Sequence, residues 1–170
     1  MSERIKKFPI GGTHLPEEKG LTSDAPIVTM PAPAEVLIPL KQHLGVVLEP
    51  MVAVGDRVRR GSLLGDTEDG LRAKIHSSVV GEVTEITDAA LPDGSRVRAV
   101  RIRTDESDVS NDPENEERLS PLELESLSDE QYRDAVIARV EEAGIVGLGG
   151  ATFPTHIKLA TKDKIDTVIV

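Results

Sequence analysis

Residues 52–65 read VAVGDRVRRGSLLG and residues 77–86 read SSVVGEVTEI. Each passes through a glycine into a short run rich in valine or leucine, so the two segments echo one another. Asp56 after Gly55 marks a tight turn, and Gly61 before SLLG marks a second. Working outward, the same texture extends from about 28 to 104, where EVLIPL, GVVLEP, LRAKIHS and RVRAVRIRT alternate with Gly and Pro punctuation. Short β-branched runs at this spacing predict a compact all-β module. In RVRAVRIRT (96–104), Val97, Ala99 and Ile102 among arginines, with Val100 out of phase, describe a half-exposed strand.

Paired, glycine-punctuated halves of this kind resemble the flattened barrel of biotinyl and lipoyl carriers, a barrel-sandwich hybrid or hammerhead. A working carrier needs a lysine at the hairpin tip, about seven residues before the small-residue pair that opens the second half. Seven residues before Ser77 stands Gly70, and Lys74 lies only three before it, in the expected following strand. The scaffold is therefore expected without its swinging arm.

Composition narrows the functions. Phe8, Tyr132 and Phe153 are the only aromatic residues, so a core must come from Val, Ile, Leu and Ala. Cysteine is absent, so these residues offer no disulfide and no thiolate to zinc or an iron–sulfur cluster. Runs such as GVVLEPMVAV (45–54) fall far short of the roughly 18 apolar residues of a membrane span. SERIKKF followed by PIGGTH does not read as a signal peptide. The net charge of -10 comes from one stretch: between Asp105 and Glu130 eleven acids face the single base Arg118. Such a stretch repels itself and buries little, which predicts a solvated acidic linker over 105–127, with an acidic docking surface as the sharper alternative. No basic patch with interleaved aromatics suggests nucleic acid. His14, His43, His76 and His156 are scattered without metal-ligand spacing; His43 is expected to bond to nearby groups, and no catalytic or metal residues are expected.

Past the linker the pattern turns helical. Ser128 with Gln131 forms a capping box, and Asp129 and Glu130 suit the positive end of the helix dipole. Tyr132, Val136, Val140 and Ala143, widened by Ile137, make an apolar stripe. Gly144 stops the helix at C′. GIVGLGGATFPTHIK (144–158) then carries four glycines. It is neither a dinucleotide fingerprint, since it follows a helix and lacks the third glycine, nor a Walker A loop. A flexible joint and an anion cradle both remain open on composition, because successive glycines free backbone N–H groups. TFPTHIKLA predicts a second helix, capped by Thr152 or Thr155 with Pro154 in its first turn. KIDTVIV (164–170) reads as a buried strand starting an α/β sheet.

GLGGATFPTHIKL (147–159) closely resembles the glycine-rich flavin loop of the NADH-oxidising flavoprotein subunit of respiratory complex I. The longer EEAGIVGLGGATFPTHIKL, together with GGTHLPEEKGLT (11–22), IPLKQHLG (38–45) and EPMVAVGDRVRRGSLLG (49–65), resembles the C subunit of the Rnf electron transport complex, four motifs in one order. The resemblance implies the N-terminal part of a peripheral subunit on the cytoplasmic side of the membrane. Its complex would move electrons between NADH and ferredoxin, coupled to ion translocation, with other membrane subunits as partners. The whole subunit would hold FMN and [4Fe–4S] clusters. By the same resemblance Gly147, Gly149, Gly150 and Ala151 would line the FMN phosphate and ribityl chain, Phe153 and Thr155 would shape the wall, and Lys158 would supply charge.

The expected fold is thus α+β: an extended arm (1–27), the barrel-sandwich hybrid (28–104), the acidic linker (105–127) and the start of an α/β FMN- and NADH-binding domain (128–170). The reading frame is expected to continue past Val170 into cysteine-bearing sequence. Residues 1–170 alone are expected to have a mobile glycine loop, no tightly bound cofactor and no activity. The runners-up are a cobalamin reductase-like flavoprotein of propanediol utilisation and a non-catalytic interaction module.

Overall fold

A computed structural model describes residues 18–31, 33–105, 116–123, 125–163 and 165. The chain divides into two units, Met1–Pro31 and Ala32–Val170. In the first, the described residues are all exposed, and Thr22 and Ser23 each donate a backbone N–H to the Lys19 carbonyl at 2.9 Å.

The second unit opens on seven strands: β1 (Glu35–Pro39), β2 (Glu49–Pro50), β3 (Arg57–Val58), β4 (Leu63–Asp66), β5 (Ile75–His76), β6 (Gly81–Ala90) and β7 (Arg96–Thr104). They form two antiparallel sheets, one ordered β1-β7-β6-β3 and the other β2-β4-β5. Each apolar run picked out in the sequence contributes to at least one of these strands, and VAVGDRVRRGSLLG contributes to two, β3 and β4. The two echoing segments pair with each other. Gly55 donates to Val83 O at 2.8 Å, Arg57 and Val58 lie opposite Glu82 and Gly81, and Gly61 donates to Ser77 O at 2.9 Å. Both turns form as expected, with Gly55 at φ 97° and Gly61 at φ 92°. This is the barrel-sandwich hybrid.

The long strands carry both the core and the outer surface. Val36–Ile102–Val83 and Ile38–Val100–Ile86 form apolar rungs across β1, β7 and β6. On the other face Arg101 meets Glu35 at 2.8 Å and Glu85 at 2.9 Å, and Arg103 meets Glu82 at 2.7 Å. Strict alternation would put Glu85 after Val83 in the core. A bulge at Thr84 inserts one residue, so Ile86 takes the inward position instead. A bulge also bends its strand, which curls the sheet around the core. Val97, Ala99, Val100 and Ile102 are all buried, so β7 is less exposed than its arginines suggest.

After the strands come α1 (Asp129–Glu142) and α2 (Thr155–Leu159). Ser128 Oγ accepts the Gln131 N–H while Gln131 Oε1 accepts the Ser128 N–H, the expected capping box. The apolar stripe of α1 is only half-covered, with no buried residue and Tyr132 49% exposed. One expectation gains detail and another needs correction. The described acidic residues are mostly exposed, yet Asp105 pairs with Arg57, Glu117 N–H donates to Arg60 O at 2.7 Å, and Ser62 Oγ donates to Glu117 at 2.7 Å. Neither Thr152 nor Thr155 caps α2: buried Pro154 is its N-cap, without a side-chain bond. The expected terminal strand lies outside the described residues except for Ile165.

Candidate functional site

The glycine-rich loop is launched by the end of α1. Gly144 adopts φ 64° and donates to Glu141 O at 3.0 Å, while Ile145 donates to Val140 O at 3.2 Å. This pair of bonds is a Schellman motif, which needs the left-handed conformation glycine accepts without strain. A second constraint is tertiary: a Cβ on Gly144 would sit 2.1 Å from the Lys74 carbonyl oxygen. The helix end therefore packs directly on the barrel backbone. Beside it, the Arg72 guanidinium lies between Asp66 of β4 at 3.0 Å and Glu141 of α1 at 2.9 Å. The contact to Asp66 is an ion pair without hydrogen-bond alignment.

The loop itself closes as a narrow hairpin. Val146 bridges Pro154, Gly147 N–H donates to Phe153 O at 3.0 Å, and Thr155 N–H donates to Ile145 O at 3.0 Å. Lys158, one α-helical turn into α2, folds back so that its Nζ stands 5.6 Å from the Phe153 ring centroid and 3.4 Å from where a Gly147 Cβ would be. Gly147, Phe153 and Lys158 are thus brought together. Gly149 and Gly150 lie at the exposed tip, with nothing within 4 Å of an added Cβ, and Leu148 is 93% exposed. Ala151 points its carbonyl the other way, accepting the Leu44 N–H of the barrel at 3.1 Å. Thr152 holds φ 48°, a conformation uncommon for a β-branched residue.

Two clefts flank this junction. One of about 320 Å³ lies between barrel and loop and is lined by Gln42, Lys74, His76, Leu148 and Thr152 among others. The other, about 370 Å³, is bounded by Leu63, Lys74, His76, Glu117 and Glu142 among others. His76 borders both. Burial, followed by the nearby Lys74 ammonium, holds its imidazole below the ordinary value near 6.5. His43 bonds as expected: its Nε2 accepts the Ala73 N–H at 3.1 Å, which places the ring proton on Nδ1, 3.3 Å from Leu44 O. Lys74 directly precedes β5 and lies 3.6 Å from Asp66.

The sequence gives no signal for Arg72 or Leu44 as partners of the loop, because the contacts join residues about 70 and 107 apart along the chain. Gly144 is legible as a cap, but not as a point of contact with Lys74. Among the described residues no cluster of His, Asp and Glu could hold a metal ion, and no helix is long and apolar enough to cross a membrane.

Residues 7–107 match the family described as the RnfC barrel sandwich hybrid domain. Over 172 aligned positions, covering 98% of it, the chain is 36% identical to the C subunit of the proton-translocating ferredoxin:NAD(+) oxidoreductase complex of Clostridium ljungdahlii. It is 35% identical over 165 positions, 95% of the chain, to the C subunit of the ion-translocating oxidoreductase complex of Rhodobacter capsulatus. It is 36% identical over 162 positions, 94% of the chain, to the C subunit of the Na(+)-translocating ferredoxin:NAD(+) oxidoreductase complex of Acetobacterium woodii. The chain spans 35%, 30% and 35% of these three relatives.

Proposed function

We infer function from one premise: the chain belongs to the RnfC family and corresponds to the N-terminal region of that protein. It serves as part of a peripheral subunit, on the cytoplasmic side of the membrane, in a complex that passes electrons between NADH and ferredoxin and couples this to ion translocation. The partition follows the same reading: an arm, a barrel-sandwich hybrid, an acidic connection, and from residue 128 the start of an FMN- and NADH-binding domain.

The complete protein binds FMN, and the glycine-rich loop contributes to that site. The observation that carries this reading is the cluster of Gly147, Phe153 and Lys158 beside an open, Cβ-free loop tip. Such a tip lets an anionic group approach the backbone N–H groups closely, and Lys158 supplies the countercharge. The residues therefore fit the phosphate end of the cofactor. When bound, the flavin supplies the hydride and electron chemistry; these residues bind and orient it. Gly147, Gly149, Gly150 and Ala151 leave room for the chain of the ligand, Phe153 and Thr155 form the wall, and Lys158 swings from the Phe153 ring toward the phosphate. Cluster ligation is not supplied by this region, which has no cysteine.

The test is flavin titration of the complete protein, followed by fluorescence. Lys158→Ala should weaken FMN by about 1.5–3 kcal/mol, the range for a charged hydrogen bond. Residues 1–170 alone should bind weakly, because a loop with an open tip encloses little of its ligand. Normal FMN binding by the Lys158→Ala protein would remove Lys158 from the site.

A further inference from the structure

We propose that Arg72 is a positioning residue, the centre of a two-point clamp that sets the glycine-rich loop on the barrel; its consequence for FMN rests on the function proposed above. The leading anchor is at the end of α1. Arg72 reaches Glu141 at 2.9 Å while held against Asp66 at 3.0 Å, and its side chain is only 18% exposed. The carbonyl of the same Glu141 accepts the Gly144 N–H that begins the loop, and Gly144 rests on the Lys74 carbonyl. The Arg72 guanidinium thus ties the barrel to the end of α1 through an ion pair on each side.

The trailing anchor lies on the far side of the glycines, where Ala151 O accepts the Leu44 N–H at 3.1 Å. The two barrel sides of the clamp are joined to each other. Ala73, next to Arg72, donates to buried His43, next to Leu44, at 3.1 Å. Val46 likewise donates to Leu71 O at 3.0 Å. Both ends of the loop are thus referred to one hydrogen-bonded pair of segments, 42–46 and 71–74. At the exposed tip between them, Gly149 and Gly150 have nothing packed where a Cβ would stand. Releasing the leading anchor should then loosen the trailing one.

Amide hydrogen exchange on the complete protein, resolved by residue and recorded without flavin, tests this directly. The Leu44 and Gly147 amides report the trailing anchor and the closed hairpin; the Val83 amide, bonded to Asp56 O at 2.9 Å, reports the barrel core. Arg72→Met and Glu141→Gln should each speed Leu44 and Gly147 exchange by roughly tenfold, as expected for loss of one charged contact. The double variant should add little more, Arg72→Lys should restore part, and Val83 should not change. Wild-type exchange at Leu44 and Gly147 in both single variants overturns the clamp. If Arg72→Met also speeds Val83, Glu141→Gln decides alone, because Glu141 lies outside the barrel. FMN titration of the same proteins separates the two ideas. Faster exchange with unchanged FMN affinity keeps the clamp and removes the loop from the flavin site. Unchanged exchange removes the clamp, whatever the flavin does.

Discussion

Gly144 carries two demands on one residue. Its φ of 64° belongs to the helix-ending turn, and its missing side chain lets the Lys74 carbonyl approach to where a Cβ would stand. Gly144→Ala meets both penalties and should lower stability by roughly 1–3 kcal/mol, read from the shift in urea midpoint. His76 makes a pH-dependent contribution. Burial and the neighbouring Lys74 disfavour its charged form in the folded chain, whereas unfolded it takes up a proton near 6.5. Below that value the unfolded state binds more protons, so stability present above it is lost as pH falls through the folded value. Urea midpoints should therefore drop on acidification from about pH 7.5 to about pH 5, and His76→Gln should flatten part of that slope. A slope unaffected by the substitution would assign the loss to other groups.

Among the elements, α1 depends on its ends more than on its face. Its stripe is half-exposed, so packing gives less than the pattern of Val136, Ile137 and Val140 implies. The capping box at Ser128 and the Schellman turn at Gly144 satisfy backbone groups that would otherwise need water. Ser128→Ala should cost the helix about 1 kcal/mol, seen as faster exchange at the Gln131 amide while the Val83 amide of the barrel is unaffected. The strand β6 shows why pattern alone gives an incomplete register. Val83 and Ile86 are three residues apart, a spacing that fits neither face of a regular strand. The bulge at Thr84 reconciles them. The five-residue α2 illustrates the reverse case: two threonines offer caps, yet buried Pro154 takes the position because its pairing with Val146 closes the loop.

At the scale of the whole molecule, the chain contains the barrel-sandwich hybrid fold that cofactor carriers also use. Lys74 is three-quarters covered, lies 3.6 Å from Asp66 and sits beside β5, while Gly70 occupies the turn where a carrier lysine would stand. Co-expression with active biotin and lipoyl ligases should therefore leave the intact mass unchanged; a lipoyl addition at Lys74 would show that the side chain is presented after all. The barrel instead offers its 42–46 and 71–74 segments to the loop that follows α1. Much of this is legible in the sequence. Glycine turns at 55 and 61, the β-branched runs and the Ser128 capping box depend on local backbone preferences, which a short window of residues contains. Gly147, Phe153 and Lys158 are readable as one motif only through the resemblance of GLGGATFPTHIKL to a glycine-rich flavin loop. The bulge, the contacts of Glu117 with Arg60 and Ser62, and the contacts from Leu44 and Arg72 to the loop are not. They join groups far apart in the chain, where the requirement to pair each buried polar group and charge is met only after the barrel has formed. Local chemistry in the sequence therefore determined the elements, and resemblance the motif, while tertiary structure alone decided what the motif rests on.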